Sequence, residues 1–428
     1  MTASEAGGPT NTTREARNHT AGVSSGRWLL LLLLTTVLTQ TALNLVRPLI
    51  SYRVIALGGD GLAVGLVTAA FAVLPLLAAV PLGRMADRTR RGWIILAAGV
   101  LLLTGGATSL AVTTSVLTVA ASNTVLGLGH LVFMLAAQGG VAALSPAHNL
   151  DRNFGWFTAA ASAGQLAGPA LSGLLLGGTT DQHLTRATTE AFWVAGGAAL
   201  LALLPALLSG IRHERGSRRE EGARKTSTAA LLRMPGVPSG LFVSLALLAG
   251  LDLITAYLPL IAESRGIAPA VVGLLLSLRA GASIASRLLL DRLLRFVGRT
   301  TLVTASCSVT AAGMLVVSLP ATGVPGMAVA LLVGGFFLGL GQPLTMTHVV
   351  TAVPETARST ALALRLMSNR VGQVALPFLA GVIASPLGAA GALWVGTGIL
   401  ATAGVVPQTR RLRAGRSRDG TPGDNSQL

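Results

Sequence analysis

The sequence predicts an all-α polytopic membrane protein with twelve transmembrane helices arranged as two six-helix bundles. Apolar residues make up 51% of its 428 residues and charged residues only 11%, a balance far from that of a soluble domain. Roughly twelve apolar segments are long enough to cross a bilayer, which takes about 20 residues each. An internal repeat relates the two halves. Together these observations predict two similar bundles in one chain.

The apolar segments set the expected domain limits. We expect spans near residues 28–50, 61–82, 93–113, 116–143, 154–177, 190–210, 239–262, 269–289, 300–319, 325–351, 358–383 and 389–407. The domains are then a disordered N-terminus (1–27), a first bundle (28–210), a linker (211–238), a second bundle (239–407) and a basic tail (408–428). Both ends lack apolar periodicity and are rich in polar residues, so we expect them to be disordered.

The internal repeat keeps a nearly constant offset. The decapeptide Gly164–Gly173 recurs 208 residues later as Gly372–Gly381, inside another apolar segment. Two shorter matches accompany it: Val64-Gly65-Leu66 with Val272-Gly273-Leu274, and Leu126–Gly129 with Leu338–Gly341. Two similar halves in the same order are typical of secondary transporters.

The net charge of +16 is explained by orientation in a membrane. If the N-terminus is cytoplasmic, 25 of the 32 basic residues fall in cytoplasmic segments. This distribution predicts a multi-pass protein of the plasma membrane with both termini in the cytoplasm and lipid as a partner. A nucleic-acid partner is not expected, because the longest polar stretch between spans is the linker.

One acid is predicted deep inside a span. Asp252 lies between Leu251 and Leu253 in the seventh span. Ionisable groups in membranes are costly and usually functional, and desolvation can keep a carboxyl protonated until its cavity opens to water. Asp252 is therefore the candidate proton-coupling residue. The alternative is a static ion pair with one of the arginines Arg279, Arg365 or Arg370.

Polar residues on shared helical faces predict a central cavity. On the first span these are Thr36, Gln40, Asn44 and Arg47; on the fourth Asn123, His130, Met134 and Gln138; on the eleventh Arg365, Asn369 and Gln373, with Arg370 beside them. For each amide, and for the histidine, hydrogen bonding between helices is the alternative. Arg47, Arg279, Arg365 and Arg370 exceed the single acid by three charges, which favours an anionic or zwitterionic solute. Alternatively, Arg47 and Arg365 reach the membrane interface by snorkelling.

The loop after the second span resembles a family signature. Residues 83–91 read Gly-Arg-Met-Ala-Asp-Arg-Thr-Arg-Arg, similar to the cytoplasmic signature of the major facilitator superfamily, with Arg90 where a glycine is usual. The resemblance implies a gating loop, which in the first half consists of Gly83, Asp87, Arg88 and Arg91. The corresponding loop of the second half consists of Arg295, Gly298 and Arg299 and has no acid at the position that matches Asp87. It also implies that the tenth span lines the pathway, which adds Gln342 and His348 to the cavity. The alternative for the loop is a topology signal.

The fifth span carries a second resemblance. Gly155, Gly164, Gly168, Pro169 and Gly173 are spaced as in the fifth-helix motif of the drug:proton antiporter (multidrug efflux) branch, with Ser172 in place of one glycine. The resemblance implies a hinge helix and export. Ordinary small-residue packing is the alternative.

Other classes of protein lack their required residues. The only lysine, Lys225, has no phosphate-binding glycine loop around it, and no cluster of nucleophile, base or metal ligands occurs. We therefore expect no enzyme activity, ATP, metal or cofactor. The sequence predicts a monomeric alternating-access transporter that couples protons to efflux of small organic molecules or drugs. One alternative is proton-coupled uptake or uniport of a small organic metabolite, including an anionic one. The other is a non-transporting receptor.

Overall fold

The protein is helical throughout the part that the structure, a computed structural model, describes: residues 11–88, 91–146, 149–177, 181–209, 228–354 and 357–419. These ranges hold thirteen α-helices and no strand. The helices are α1 (Asn11–Ala56), α2 (Gly61–Arg88), α3 (Gly92–Ala111), α4 (Val116–Leu144), α5 (Leu150–Leu176), α6 (Asp181–Leu201), α7 (Leu203–Leu208), α8 (Thr228–Arg233), α9 (Val237–Ser264), α10 (Pro269–Phe296), α11 (Arg299–Ser318), α12 (Val324–Thr351) and α13 (Arg358–Asp419). The predicted fold class is confirmed.

Twelve membrane crossings follow from these helices. Eleven described helices are long and apolar enough to span a bilayer, α6 and α7 together forming the sixth (His183–Leu208). The last apolar stretch, Thr360–Val405, is 46 residues long and is interrupted at Gly388, whose φ of 71° and ψ of −179° are not helical. It therefore supplies two crossings. With an even number of crossings, both chain termini lie on one side, which we call the termini side.

Three segment limits differ from the sequence prediction. α1 begins at Asn11 and α13 runs to Asp419, so parts of the terminal stretches predicted as disordered are helical. The sixth span begins at His183, within a helix that starts at Asp181, rather than near residue 190. A helix satisfies its backbone hydrogen bonds internally, so it can continue past the apolar run on which the prediction relied. Residues 1–10, 420–428 and most of the predicted linker (210–227) lie outside the described residues.

Repeated glycines bring the two bundles together. The first bundle comprises α1–α7 and the second α9–α13, and they meet where α2 packs on α13 and α5 on α10. A Cβ added to Gly65 would lie 2.7 Å from the Cα of Gly381, and one added to Gly273 would lie 2.6 Å from the Cα of Gly173. Each repeated triplet thus contacts the repeated decapeptide of the other half. Small residues allow this close approach.

These contacts lie on the side facing away from the termini, where α1 ends and α2 begins; we call it the opposite side. Here Tyr257 Oη donates to the carbonyl of Gly61 at 2.9 Å, joining α9 to α2. The backbone N–H of Ala270 donates to the carbonyl of Gly177 at 3.3 Å, joining α10 to the end of α5. The two bundles are therefore in close contact on the opposite side.

Candidate functional site

Asp252 sits at the junction of the two bundles. Its side chain, on α9, is 7% exposed. Arg47 Nη1, on α1, lies 3.1 Å from Asp252 Oδ1, and Gln373 Nε2, on α13, donates to Oδ2 at 2.9 Å. Both carboxylate oxygens are therefore engaged. The ion pair with Arg47 crosses from the second bundle to the first.

Two further arginines surround this acid. Arg370 Nη1 donates to Gln373 Oε1 at 2.9 Å, so the Gln373 amide bridges Arg370 to Asp252. Arg279, on α10, is 8% exposed and lies within electrostatic range of both Arg47 and Asp252. Three arginines thus lie near one carboxylate, and of these only Arg47 contacts it directly.

A cavity that is partly open to solvent lies beside the ion pair. Its walls come from α1, α2 and α4 of the first bundle and from α9 and α13 of the second. The lining residues are Arg47, Ile50, Thr68, Phe71, Asn123, Asp252, Thr255, Ala256 and Gln373. A solute in this space would contact both bundles and the acid at once.

An aromatic ring holds Arg47 in the cavity. The guanidinium carbon lies 5.1 Å from the centre of the Phe71 ring, a favourable cation–π distance. That ring is 6.0 Å from the ring of His130, whose Nε2 lies 3.4 Å from Gln40 Nε2. The predicted polar faces of α1 and α4 therefore meet at Gln40 and His130, next to the cavity.

The positions of two arginines correct the sequence analysis. Asp252 pairs directly with Arg47, not with Arg279, Arg365 or Arg370. Arg47 does not snorkel to the interface, because its charge is held between Asp252 and Phe71. Arg365 is 7% exposed and donates from Nη2 to Gln342 Oε1 at 2.8 Å. Arg365 and Gln342 therefore join α13 to α12 within the second bundle.

Other predicted cavity residues have packing roles or lie elsewhere. Asn44 Nδ2 donates to the carbonyl of Gln40 one turn earlier, at 2.8 Å. Asn123 lines the cavity and donates to the carbonyl of Val67 at 2.7 Å, linking α4 to α2. Gln138 is exposed and lies about four turns of α4 closer to the termini side than Asn123. These positions show that a shared helical face does not ensure a shared cavity.

Two further residues lie on the second bundle. His348 is beside the start of α9, where a Cβ on Gly240 would lie 2.9 Å from its Cδ2. Asn369 is 6% exposed, one turn before Gln373 on α13, and its Oδ1 is buried without a hydrogen-bond partner among the described residues. His348 therefore belongs to the packing at the termini side, whereas Asn369 lies close to the site.

The gating loop is only partly described. Gly83, Asp87 and Arg88 lie in the last turns of α2, but their side chains lie outside the described part of the structure. On the same side, Arg91 precedes α3, Arg295 is in the last turn of α10, Gly298 precedes α11 and Arg299 begins it. The predicted gate stays a prediction.

The fifth-helix motif places α5 between α1 and α10. Added Cβ atoms on Gly164 and Gly168 would each lie 2.6 Å from a Cβ of α1, those of Gln40 and Asn44. Gly173 faces Gly273 of the other bundle. Pro169 lies inside α5, and a Cβ on Gly155 would meet nothing within 4 Å. Close packing therefore accounts for three of these glycines.

Some cavity residues were missed by sequence reasoning. Phe71, Thr68 and Thr255 carry no ionisable group, and no pattern of polar residues marks them. Arg287, within α10, was not among the predicted cavity residues, and its Nη1 lies 3.3 Å from Ser162 Oγ on α5. Arg287 falls inside the predicted span 269–289, so the sequence already indicated its position within the membrane.

The comparisons with known proteins agree with this architecture. A family model described as Major Facilitator Superfamily matches residues 32–261 and 240–422. The fold is similar to the solved structure of the nucleoside transporter NupG, with a TM-score of 0.69 and 13% sequence identity over 90% of this chain and 98% of that chain. It is also similar to a POT family transporter in complex with a thioalcohol-conjugated peptide, with a TM-score of 0.71 and 13% identity over 90% of this chain and 96% of that one. A D-xylose–proton symporter gives a TM-score of 0.71 and 13% identity over 89% of this chain and 96% of that one. No curated protein matches the chain.

Proposed function

The chain belongs to the Major Facilitator Superfamily, and we propose that it moves a small organic solute across the membrane by alternating access, coupled to protonation of Asp252. The observation that carries this proposal is the ion pair between Asp252 Oδ1 and Arg47 Nη1, because it joins the two bundles across the cavity. In alternating access, the bundles rock about a central site. Protonation of Asp252 removes its negative charge and so weakens the ion pair that joins the two bundles.

The energy involved is large enough to control this motion. Two unit charges about 4 Å apart interact by about 4 kcal/mol at an effective dielectric constant near 20, before desolvation is considered. A change of about 1.4 kcal/mol shifts an equilibrium tenfold. Losing even part of the attraction between Arg47 and Asp252 would therefore change the populations of the conformational states.

Two directions of transport are candidates. The resemblance of α5 to the drug:proton antiporter motif favours export of drug-like molecules, although Gly164, Gly168 and Gly173 also have the packing roles described above. The cationic surroundings of Asp252 favour the second candidate, uptake of an anionic or zwitterionic solute by proton symport. A lipophilic cation would be repelled by Arg279 and Arg370.

Proton flux in proteoliposomes tests the coupling. Protein would be reconstituted with a pH-sensitive dye inside, and ethidium, xylose, glutamate and gluconate would be added in turn to wild type, Asp252→Asn and Glu190→Gln. Glu190 is the matched control, an acid that is 65% exposed on α6. We expect at least one compound to move protons with wild type and the control but not with Asp252→Asn. Equal flux in all three proteins would contradict the proposal.

A further inference from the structure

The charges around the cavity are unbalanced. Arg47, Arg279 and Arg370 face the single carboxylate of Asp252, which leaves a formal charge of +2 from these four groups. Arg370 donates to the amide oxygen of Gln373 rather than to an acid. Arg279 Nε is buried without a hydrogen-bond partner among the described residues. Buried cations are costly unless they are paired, so this site would be stabilised by a further anion.

Among the described residues that line the cavity, no second acid compensates for this excess. The charged and titratable groups that face Asp252 or its arginine partners are Arg47 from α1, His130 from α4, Arg279 and Arg287 from α10 and Arg370 from α13. The cavity wall from α2 consists of Thr68 and Phe71, which do not titrate. Asp252 is thus the one acid among the described residues that line the cavity.

Arg47 is placed to exchange one carboxylate for another. It lines the cavity and its side chain is 22% exposed, whereas Asp252 is 7% exposed. A guanidinium offers a planar fork of donors that matches a carboxylate or phosphate, and Asp252 uses only Nη1 of this fork at 3.1 Å. Phe71 keeps the guanidinium at the cavity wall when its partner changes.

We infer that the transported solute carries a carboxylate or another anionic group, and that this group takes the place of Asp252 on Arg47 once Asp252 is protonated. A hydronium ion transfers its proton to a carboxylate oxygen of Asp252 and leaves as water, so one O–H bond breaks and one forms. The solute anion then becomes the counterion of Arg47. Proton and solute therefore bind together, which is the requirement for symport.

Charge conservation supports this order of events. The empty site, counted as the cavity with the arginines beside it, has three arginines and one carboxylate; the loaded site has three arginines, a neutral acid and one solute anion. The formal charge is the same in both states, so both can make the same conformational change at a similar cost of desolvation. A cationic solute would instead raise the charge of a cavity that is already positive.

The inference rests on the proposed role of Asp252, and a binding experiment tests it separately from transport. Thermal unfolding of the purified protein would be followed at pH 5.5 and 8.0 with pairs of compounds that differ in one anionic group: gluconate and glucose, glutamate and glutamine, glucose 6-phosphate and glucose. We expect an anion to stabilise the protein while its neutral partner does not. Its affinity should be higher at pH 5.5, by roughly 5- to 150-fold.

The variants identify the groups responsible. Arg47→Gln should abolish the anion effect, Arg47→Lys should weaken it because the fork is lost, and Asp252→Asn should retain it without its pH dependence. Arg186→Gln is the control, since Arg186 is 84% exposed in a surface pair with Glu190. If Arg47→Gln does not fold, Arg47→Lys still provides the comparison.

Three outcomes would overturn the inference: stabilisation by none of the anions, stabilisation that Arg47→Lys leaves unchanged, or tighter anion binding at pH 8.0. The flux experiment then shows which idea has failed. If ethidium alone moves protons in a manner that depends on Asp252, proton coupling stands and the anionic substrate is wrong. If anions bind as expected but no compound moves protons through wild type, the proposed function is wrong.

Discussion

Glycine contacts between the bundles should set the balance between a closed state, in which the bundles touch on the opposite side, and an open state, in which they are apart there. Gly65→Ala and Gly273→Ala each add one methyl group at a bundle contact. Their matched control is Gly105→Ala on α3, where an added Cβ would meet nothing within 4 Å. All three changes replace glycine by alanine within a helix, so they differ mainly in what the methyl group contacts.

The size of the effect follows from the separation of the bundles. The added Cβ on Gly273 would lie 2.6 Å from the Cα of Gly173, which is 0.8 Å less than the 3.4 Å at which ordinary contact begins. Backbone atoms cannot move aside as a flexible side chain can, so the bundles must separate. Overpacking of this kind costs about 1–3 kcal/mol. Because the open state does not pay this cost, its population relative to the closed state should rise roughly 5- to 150-fold.

Pulsed EPR between spin labels on the opposite side measures this shift. Labels at Leu57→Cys and Ser264→Cys report the separation of the end of α1 from the end of α9, while the native Cys307 is fully buried. We expect Gly65→Ala and Gly273→Ala to add a longer-distance population that wild type and Gly105→Ala lack. If the folded variants give the wild-type distance distribution, these contacts do not control closure and the reasoning is refuted.

Three further substitutions test individual contacts. Tyr257→Phe removes a hydrogen bond between bundles worth about 0.5–1.5 kcal/mol, so the same label pair should show more of the open state; an unchanged distribution would contradict this. Arg365→Lys loses the guanidinium contact with Gln342, so thermal unfolding in detergent should show a free energy of unfolding lower by about 1 kcal/mol. A free energy of unfolding equal to that of wild type would count against that contact. Thr189→Val leaves the fully buried Arg53 without its hydroxyl acceptor, which should lower the free energy of unfolding by about 1–3 kcal/mol. An unfolding temperature equal to that of wild type would be inconsistent with this hydrogen bond.

Much of the fold could be predicted from sequence because its signals are local. The length of each apolar segment marks a span. The repeated glycines mark the helices through which the two bundles contact each other. The sequence did not show that the triplet of each half packs on the decapeptide of the other half. The limits of α1 and α6 were less accurate, because a helix can extend beyond its apolar run. Gly388 separates the last two spans at the position that the apolar pattern indicated.

The candidate site was predicted less completely. Asp252, Gln373 and Arg370 were found because polar groups stand out in apolar spans, but the partner of Asp252 depends on how separate helices pack. Asn123 and Gln138 share one face of α4, yet 15 residues of helix separate them by about 22 Å along the axis, and of the two only Asn123 lines the cavity. Periodicity gives the face of a helix and not the depth at which a cavity lies.

Infrared difference spectroscopy on the purified protein would test the central claim, that Asp252 is the group that takes up the proton. Spectra would be recorded on acidification for wild type, Asp252→Asn and Glu190→Gln. We predict that a carbonyl band of a protonated carboxyl group appears in wild type and Glu190→Gln and is missing from Asp252→Asn. The same band at full strength in Asp252→Asn would contradict the account, because another group would then carry the proton.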